Sequence, residues 1–153
     1  MRILLAIDDS KFSQAARRLV VAQSRPQNTT VRVLHVVEPI EIIYTDIPLA
    51  YAPNLDEVQK EKRKQARRLV AQAAQKLRAA GFKVNTMVRE GNIRAEIIDT
   101  AAKWRANLIV VGSHGRRGLD RFLLGSVSEF VARHARCSVE IVRIPANRRA
   151  TKG

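Results

Sequence analysis

The 153-residue sequence predicts a single α/β domain, a mostly parallel five-stranded sheet with helices on both faces. Three observations lead there. Short apolar runs rich in β-branched residues alternate with helix-length amphipathic segments, the pattern of successive βα units. One run, Leu108-Ile109-Val110-Val111, is apolar throughout, as a central strand buried on both faces requires. Right-handed crossovers then leave few topologies, and ligands are expected beyond the carboxyl ends of the strands, where the winding reverses.

Each element has a local reason. Arg2 to Asp8 is a short buried strand that stops at Asp8-Asp9-Ser10, where Ser10 is placed to cap a helix. Phe12, Ala15, Ala16, Leu19 and Val20 then recur at helical spacing until Ser24-Arg25-Pro26-Gln27-Asn28 breaks the pattern. Thr30 to Val37 is the second strand. Glu38 to Asn54, punctuated by Pro39, Pro48 and Pro53, reads as a long surface loop. A long helix follows over Leu55 to Ala80, with Leu55, Val58, Leu69, Val70, Ala73 and Leu77 as its inner stripe and Gly81 as its stop. Phe82, Val84, Thr86 and Val88 alternate with polar or longer neighbours over Phe82 to Arg89, as a strand near an edge would. Ile93, Ile97, Ile98, Ala101 and Ala102 mark a helical face within Asn92 to Trp104, and Asn107 to Gly112 is the central strand. Ser126 to Ala135 is helical and Ser138 to Arg143 is the last strand. The domain is expected over residues 1–145, with a basic, disordered tail over 146–153.

Charge is the outlying feature. Lys and Arg number 28 against 14 Asp and Glu, a formal net charge of +14. Such a balance favours polyanions in general, whether nucleic acid, an anionic membrane surface or a phosphorylated small molecule, without choosing among them. Much of the excess is local: Lys60, Lys62, Arg63, Lys64, Arg67 and Arg68 crowd one segment, and Arg143, Arg148, Arg149 and Lys152 load the tail. A solvated helix face and a frayed tail account for both without a partner. The single cysteine, Cys137, allows no internal disulfide and reads as a small buried residue. No apolar run reaches the roughly 18 residues needed to span a bilayer, and the opening run is too short for a signal segment. A soluble protein of the cytoplasm is expected.

The chemistry concentrates between Gly112 and Ser126. The run leaves the central strand, makes a Gly-rich loop and enters a helix. Gly112 and Gly115 are expected to let the backbone approach a ligand and adopt conformations that a Cβ forbids. Gly125-Ser126 opens a helix whose first amides lack internal partners and whose dipole favours an anion, so a phosphate fits there. Arg116, Arg117 and Arg121 add charge-assisted donors. Ser126 and Glu129 also have the spacing of a capping box, a purely structural alternative.

The spaced pattern Gly-x2-Gly-x9-Gly-Ser, here Gly112, Gly115 and Gly125-Ser126, resembles the nucleotide motif of ATP-binding universal stress proteins. Asp8-x-Ser10, Leu34-His35-Val36-Val37, Gly81-Phe82-Lys83-Val84 and Glu90-Gly91 agree in order, so the resemblance covers roughly residues 2 to 143. It implies a Rossmann-like sheet ordered 3-2-1-4-5, similar to the adenine nucleotide alpha hydrolase-like fold, with Asp8 and Gly112 side by side at the switch point. It implies that Asp8 and the Val36 backbone address adenosine, that Val111 and Gly112 line the pocket, and that Gly115, Gly125, Ser126 and Val127 hold the phosphates. ATP or another adenine nucleotide is the implied ligand, with Mg²⁺ or Mn²⁺ carried by the phosphates and no ligand side chain from the protein. Pairing as a homodimer through Ser138 to Arg143 is implied as well. Two departures stand out: Asn92-Ile93 follows Gly91 where the family often has Pro two residues on, and Cys137-Ser138-Val139 replaces Cys-Pro-Val.

The remaining candidates are weighed more briefly. His35 reads as structural, His134 as a surface cation at a helix end, and Trp104 as a packing residue with no stacking role. His114 borders the motif without an evident nucleophile beside it. The expected function is adenine-nucleotide binding in a stress-response or signalling module, not an enzyme. The alternatives are a slow ATPase, or a salt-sensitive binder of nucleic acid or an acidic partner through the basic helix and tail. No P-loop pattern and no carboxylate pair suited to activating water supports the ATPase. Low aromatic content, 5%, argues against a stacking platform for single strands.

Overall fold

The computed structural model describes residues 1–40, 54–115 and 124–144. The expected Glu38–Asn54 loop and 146–153 tail therefore lie largely or wholly outside the described residues, as do Arg116, Arg117 and Arg121. Five parallel strands form one sheet in the order β3-β2-β1-β4-β5: β1 (Arg2–Ala6), β2 (Thr30–Val37), β3 (Lys83–Glu90), β4 (Leu108–Gly112) and β5 (Ser138–Val142). The registers are uninterrupted, with Leu4 beside both Arg32 and Ile109. The expected order and the α/β class are both present.

Four helices cover the two faces, namely α1 (Lys11–Gln23), α2 (Leu55–Ala79), α3 (Ile93–Trp104) and α4 (Ser126–His134). Side-chain alternation along β1 divides the core in two. Ile3, Leu5 and Ile7 pack with Ala16 and Val20 of α1 and Val70, Ala74 and Leu77 of α2. Leu4 points the other way, into a cluster with Leu34 and Ile109 that Ile97 of α3 and Val131 of α4 close.

Caps set the helix starts. Ser10 accepts from the Ser13 amide, Asn54 from Glu57, and Asn92 from both Arg94 and Ala95. The Asn92 cap explains how α3 begins without the proline that the family resemblance led one to expect. Gly81, at φ +90, ends α2 in the left-handed region where a side chain would be strained. The inner stripe of α2 differs from the sequence reading. Val58 is exposed, whereas Ala66 and Ala74 are buried, so no side chain of α2 before Ala66 is buried. Hydrophobic identity alone misled there, because alanines carry the close helix–sheet contact. Thr86, expected on the inner face, is exposed because β3 is the edge strand and α2 runs beyond its cover.

Candidate functional site

The switch point falls between β1 and β4, the two strands from which the chain winds in opposite directions. Past the end of β1, the Ile7 amide still bonds the Leu34 carbonyl at 2.9 Å, and His35 Nδ1 donates to the Ile7 carbonyl at 2.7 Å. His35 is thus structural, as expected. The parity that turns Leu34 toward β1 turns Val36 the same way, beyond the last β1 residue, so the Val36 backbone faces the gap above Asp8.

Asp8 is held from one side only. Its Oδ1 accepts from the Ser10 amide at 3.0 Å and the Ser13 hydroxyl at 2.7 Å, and its own amide donates to Ser13 Oγ. Its Oδ2 lies 2.9 Å from where a Gly115 Cβ would stand and accepts no hydrogen bond among the described residues. The carboxylate is therefore positioned by the start of α1, with Oδ2 toward Gly115. Ser13 was missed by sequence reading. Its signal was available, since it opens the buried stripe Ser13, Ala16, Val20, where a small polar residue needs a partner.

The glycines do not act as expected. Neither Gly112, Gly115 nor Gly125 has a positive φ. A Cβ on Gly112 would come within 2.7 Å of Phe12 Cβ, so this glycine admits α1 to the end of β4. Gly115 is small because of the Asp8 carboxylate. Gly125 is small because a Cβ there would meet the Ser113 carbonyl at 3.0 Å. That carbonyl accepts from the Gly125 amide at 2.8 Å and from Ser128 Oγ at 3.0 Å, tying the two ends of the loop together. Ser128, buried in the inner face of α4, is a second residue that sequence reading missed.

The capping box does not form. Gly125 is the N-cap of α4 and gives no side-chain bond, while Glu129 turns to Arg133 at 2.8 Å. The first intrahelical bond runs from the Glu129 amide to the Gly125 carbonyl. Among the described residues the amides of Ser126, Val127 and Ser128 find no acceptor, whereas α1, α2 and α3 each satisfy first-turn amides with a cap side chain. Ser126 is exposed and Val127 half-buried at this opening. Val111, fully inside, supports the loop from β4 and contributes packing to the α3–α4 side of the core.

His114 sits between these groups. Its Nδ1 is 3.1 Å from Ser113 Oγ, its ring packs on Phe12, and its Nε2 is shielded from solvent with no partner. A serine does therefore stand beside this histidine, contrary to the sequence reading. Ser113 is only 1% exposed, which bars it from attacking a substrate. Among the described residues no group of three His, Cys, Asp or Glu side chains is placed to hold a metal ion. Trp104 has the stacking role not foreseen for it, since the Arg32 guanidinium lies 4.4 Å from its ring centre. Cys137 is half-buried, and burial pushes its thiol up from its ordinary value.

The universal stress protein family model matches residues 1–143. The chain belongs to the universal stress protein family. A relative from Bacillus subtilis (strain 168), universal stress protein YxiE, is 32% identical over 145 residues, covering 93% of this chain and 98% of its own. The solved structure of MJ0577, from Methanocaldococcus jannaschii, superposes with a TM-score of 0.82 at 27% identity, covering 95% of this chain and 97% of the other. An Arabidopsis thaliana family member, solved with AMP bound, shares the fold at a TM-score of 0.70 and 18% identity over 99% of this chain and 97% of its own. The described sheet and its strand order are thus those of a universal stress protein domain. No described helix is long and apolar enough to cross a membrane.

Proposed function

We propose that this universal stress protein binds an adenine nucleotide, ATP or a close relative, across the carboxyl ends of β1 and β4. The observation that carries the reading is the open first turn of α4, where among the described residues the Ser126, Val127 and Ser128 amides have no acceptor and Glu129 turns away to Arg133. A triphosphate would take those donors and the positive end of the helix dipole. Asp8 Oδ2 and the Val36 backbone are free to accept from and donate to adenosine hydroxyl and amine groups. Arg116 and Arg117, in the loop sequence between these groups, would add phosphate contacts. AMP in the Arabidopsis protein supports the same ligand class. Mg²⁺ or Mn²⁺ would ride on the phosphates, and the chain's own part is to orient them.

The protein acts in this reading as a binding module for stress response or signalling, not as an enzyme. Ser113 is buried, and among the described residues no group of three His, Cys, Asp or Glu side chains is placed to hold a metal ion, so any hydrolysis of ATP is expected to be slow. Two copies would pair through β5, whose Val139 and Ile141 remain half-buried. A cytoplasmic setting accompanies these proposals.

Ser126→Pro tests the site. Proline suits the first helical position, and Gly125 already has the extended geometry, φ −63 and ψ 147, that a residue before proline needs. The fold should melt unchanged while one amide is lost. Nucleotide affinity, measured by calorimetry with ATP and AMP, should fall about tenfold or more, given about 1.5–3 kcal/mol for a hydrogen bond to a charged group. Unchanged affinity would remove the α4 N-terminus from the site.

A further inference from the structure

Strand β3 is an edge of the sheet, eight residues long, and among the described residues no strand pairs with its outer side. Both faces beside that edge are cationic. Toward α2, a groove of about 320 Å³ runs along the strand, floored by Val70 and Val88 and rimmed by Arg63 and Arg67. Glu90 pairs with Arg63, and among the described residues Arg67 has no ion pair. On the opposite face the Arg32 guanidinium lies over Trp104 with its Nε shielded and unpartnered. Burial first, and the neighbouring Arg89 charge second, lower the proton affinity of Arg32. Among the described residues neither Arg32 nor Arg89 has a carboxylate partner. Uncompensated cations on both sides of an open strand are an arrangement that the nucleotide reading does not use.

We propose that the β3 edge receives an extended acidic segment of a partner protein, added as a sixth strand with carboxylates toward Arg67 on one face and toward Arg32 and Arg89 on the other. Three points select this occupant. An open edge presents alternating backbone donors and acceptors, which another strand satisfies and a nucleic acid does not. A second copy of β3 would bring the same cations against themselves, so the edge is guarded against self-pairing. The other edge, β5, carries no Lys or Arg along Ser138–Val142 and has no such guard. The groove, apolar below and cationic at the rim, takes one or two side chains of the added strand. This surface is distinct from the nucleotide site and independent of it.

The test uses the full chain and a fluorescein-labelled peptide of Glu-Glu-Val repeats, whose carboxylates fall on both faces of a strand. Its Lys-for-Glu counterpart, a version N-methylated at alternate residues and a single-stranded oligonucleotide of equal charge serve as comparisons. Saturable binding by the acidic peptide is expected, with added hydrogen-exchange protection over residues 83–90. N-methylation should weaken binding about tenfold or more, because it removes backbone donors while leaving charge intact. The protein double variant R67E/R89E, altered at two exposed side chains, should lose binding to a similar extent. Absence of saturable binding overturns the proposal. So does equal binding of the N-methylated peptide, or an oligonucleotide that matches the acidic peptide and leaves the β3 amides unprotected; either result would mark a diffuse polyanion surface.

Discussion

A Cβ at Gly112 would stand 2.7 Å from Phe12 Cβ and 2.9 Å from the Phe12 carbonyl carbon, closer than real side chains approach. Gly112→Ala therefore has to push α1 off the end of β4, and a cost of about 1–3 kcal/mol is expected, the range for overpacking a core. A lowered thermal midpoint with retained secondary structure would bear this out; an unchanged midpoint would show that α1 yields freely. Gly115→Ala should behave differently. It meets only the Asp8 carboxylate, so the expected effect is a loss of nucleotide affinity with little loss of stability, read by calorimetry beside a melting curve. The two residues belong to one sequence motif but to different physical problems. Nothing in the sequence separates them, because the separation depends on which helix crosses the strand end. The same limit hid Ser128, whose partner Ser113 becomes its neighbour only when the chain has folded.

Helices and strands were legible where one side chain period held without interruption. β4 carries an uninterrupted apolar run, β2 is dense in β-branched residues, and α1 and α3 begin at residues whose side chains cap them. The start of α2 was legible, but its inner face was not, since Ala66 and Ala74 bury their small side chains while Val58 does not. The ion pair between Arg63 and Glu90, seconded by Gln59, fastens that weakly packed half of α2 to the edge strand. Hydrogen bonding from Arg63 holds the Glu90 carboxyl below its ordinary value. A carboxyl depressed in the folded state contributes stability above its unfolded value, near pH 4.3 in model peptides, and loses it as pH falls through the folded value. Glu90→Gln should thus melt lower than the parent protein at neutral pH. The two curves should converge once the medium is acidic enough to protonate Glu90. A gap that persists in acid would assign the effect to packing.

The charge surplus of +14 acts on the molecule as a whole. Like charges confined to a compact body repel one another, so added salt should raise the melting temperature of the ligand-free protein. A flat response between low and moderate ionic strength would mean that the surplus is spread too widely to matter for folding. Nucleotide binding should survive the same salt better than binding of a long polyanion, because short-range donors at α4 contribute as well as the field. Fold class and strand order were readable because alternating βα units with right-handed crossovers admit few arrangements. The cations flanking β3 were not, since Arg32 and Arg89 sit on neighbouring strands and share one face only through a register that belongs to the folded sheet.

The bond between the Gly125 amide and the Ser113 carbonyl, with Ser128 reinforcing it, has an engineering meaning. Because the two flanks of the segment between them are stitched to each other, its interior can be exchanged like a cassette. Sequences grafted between positions 116 and 123 should alter what the protein grips and leave its folding cooperativity untouched.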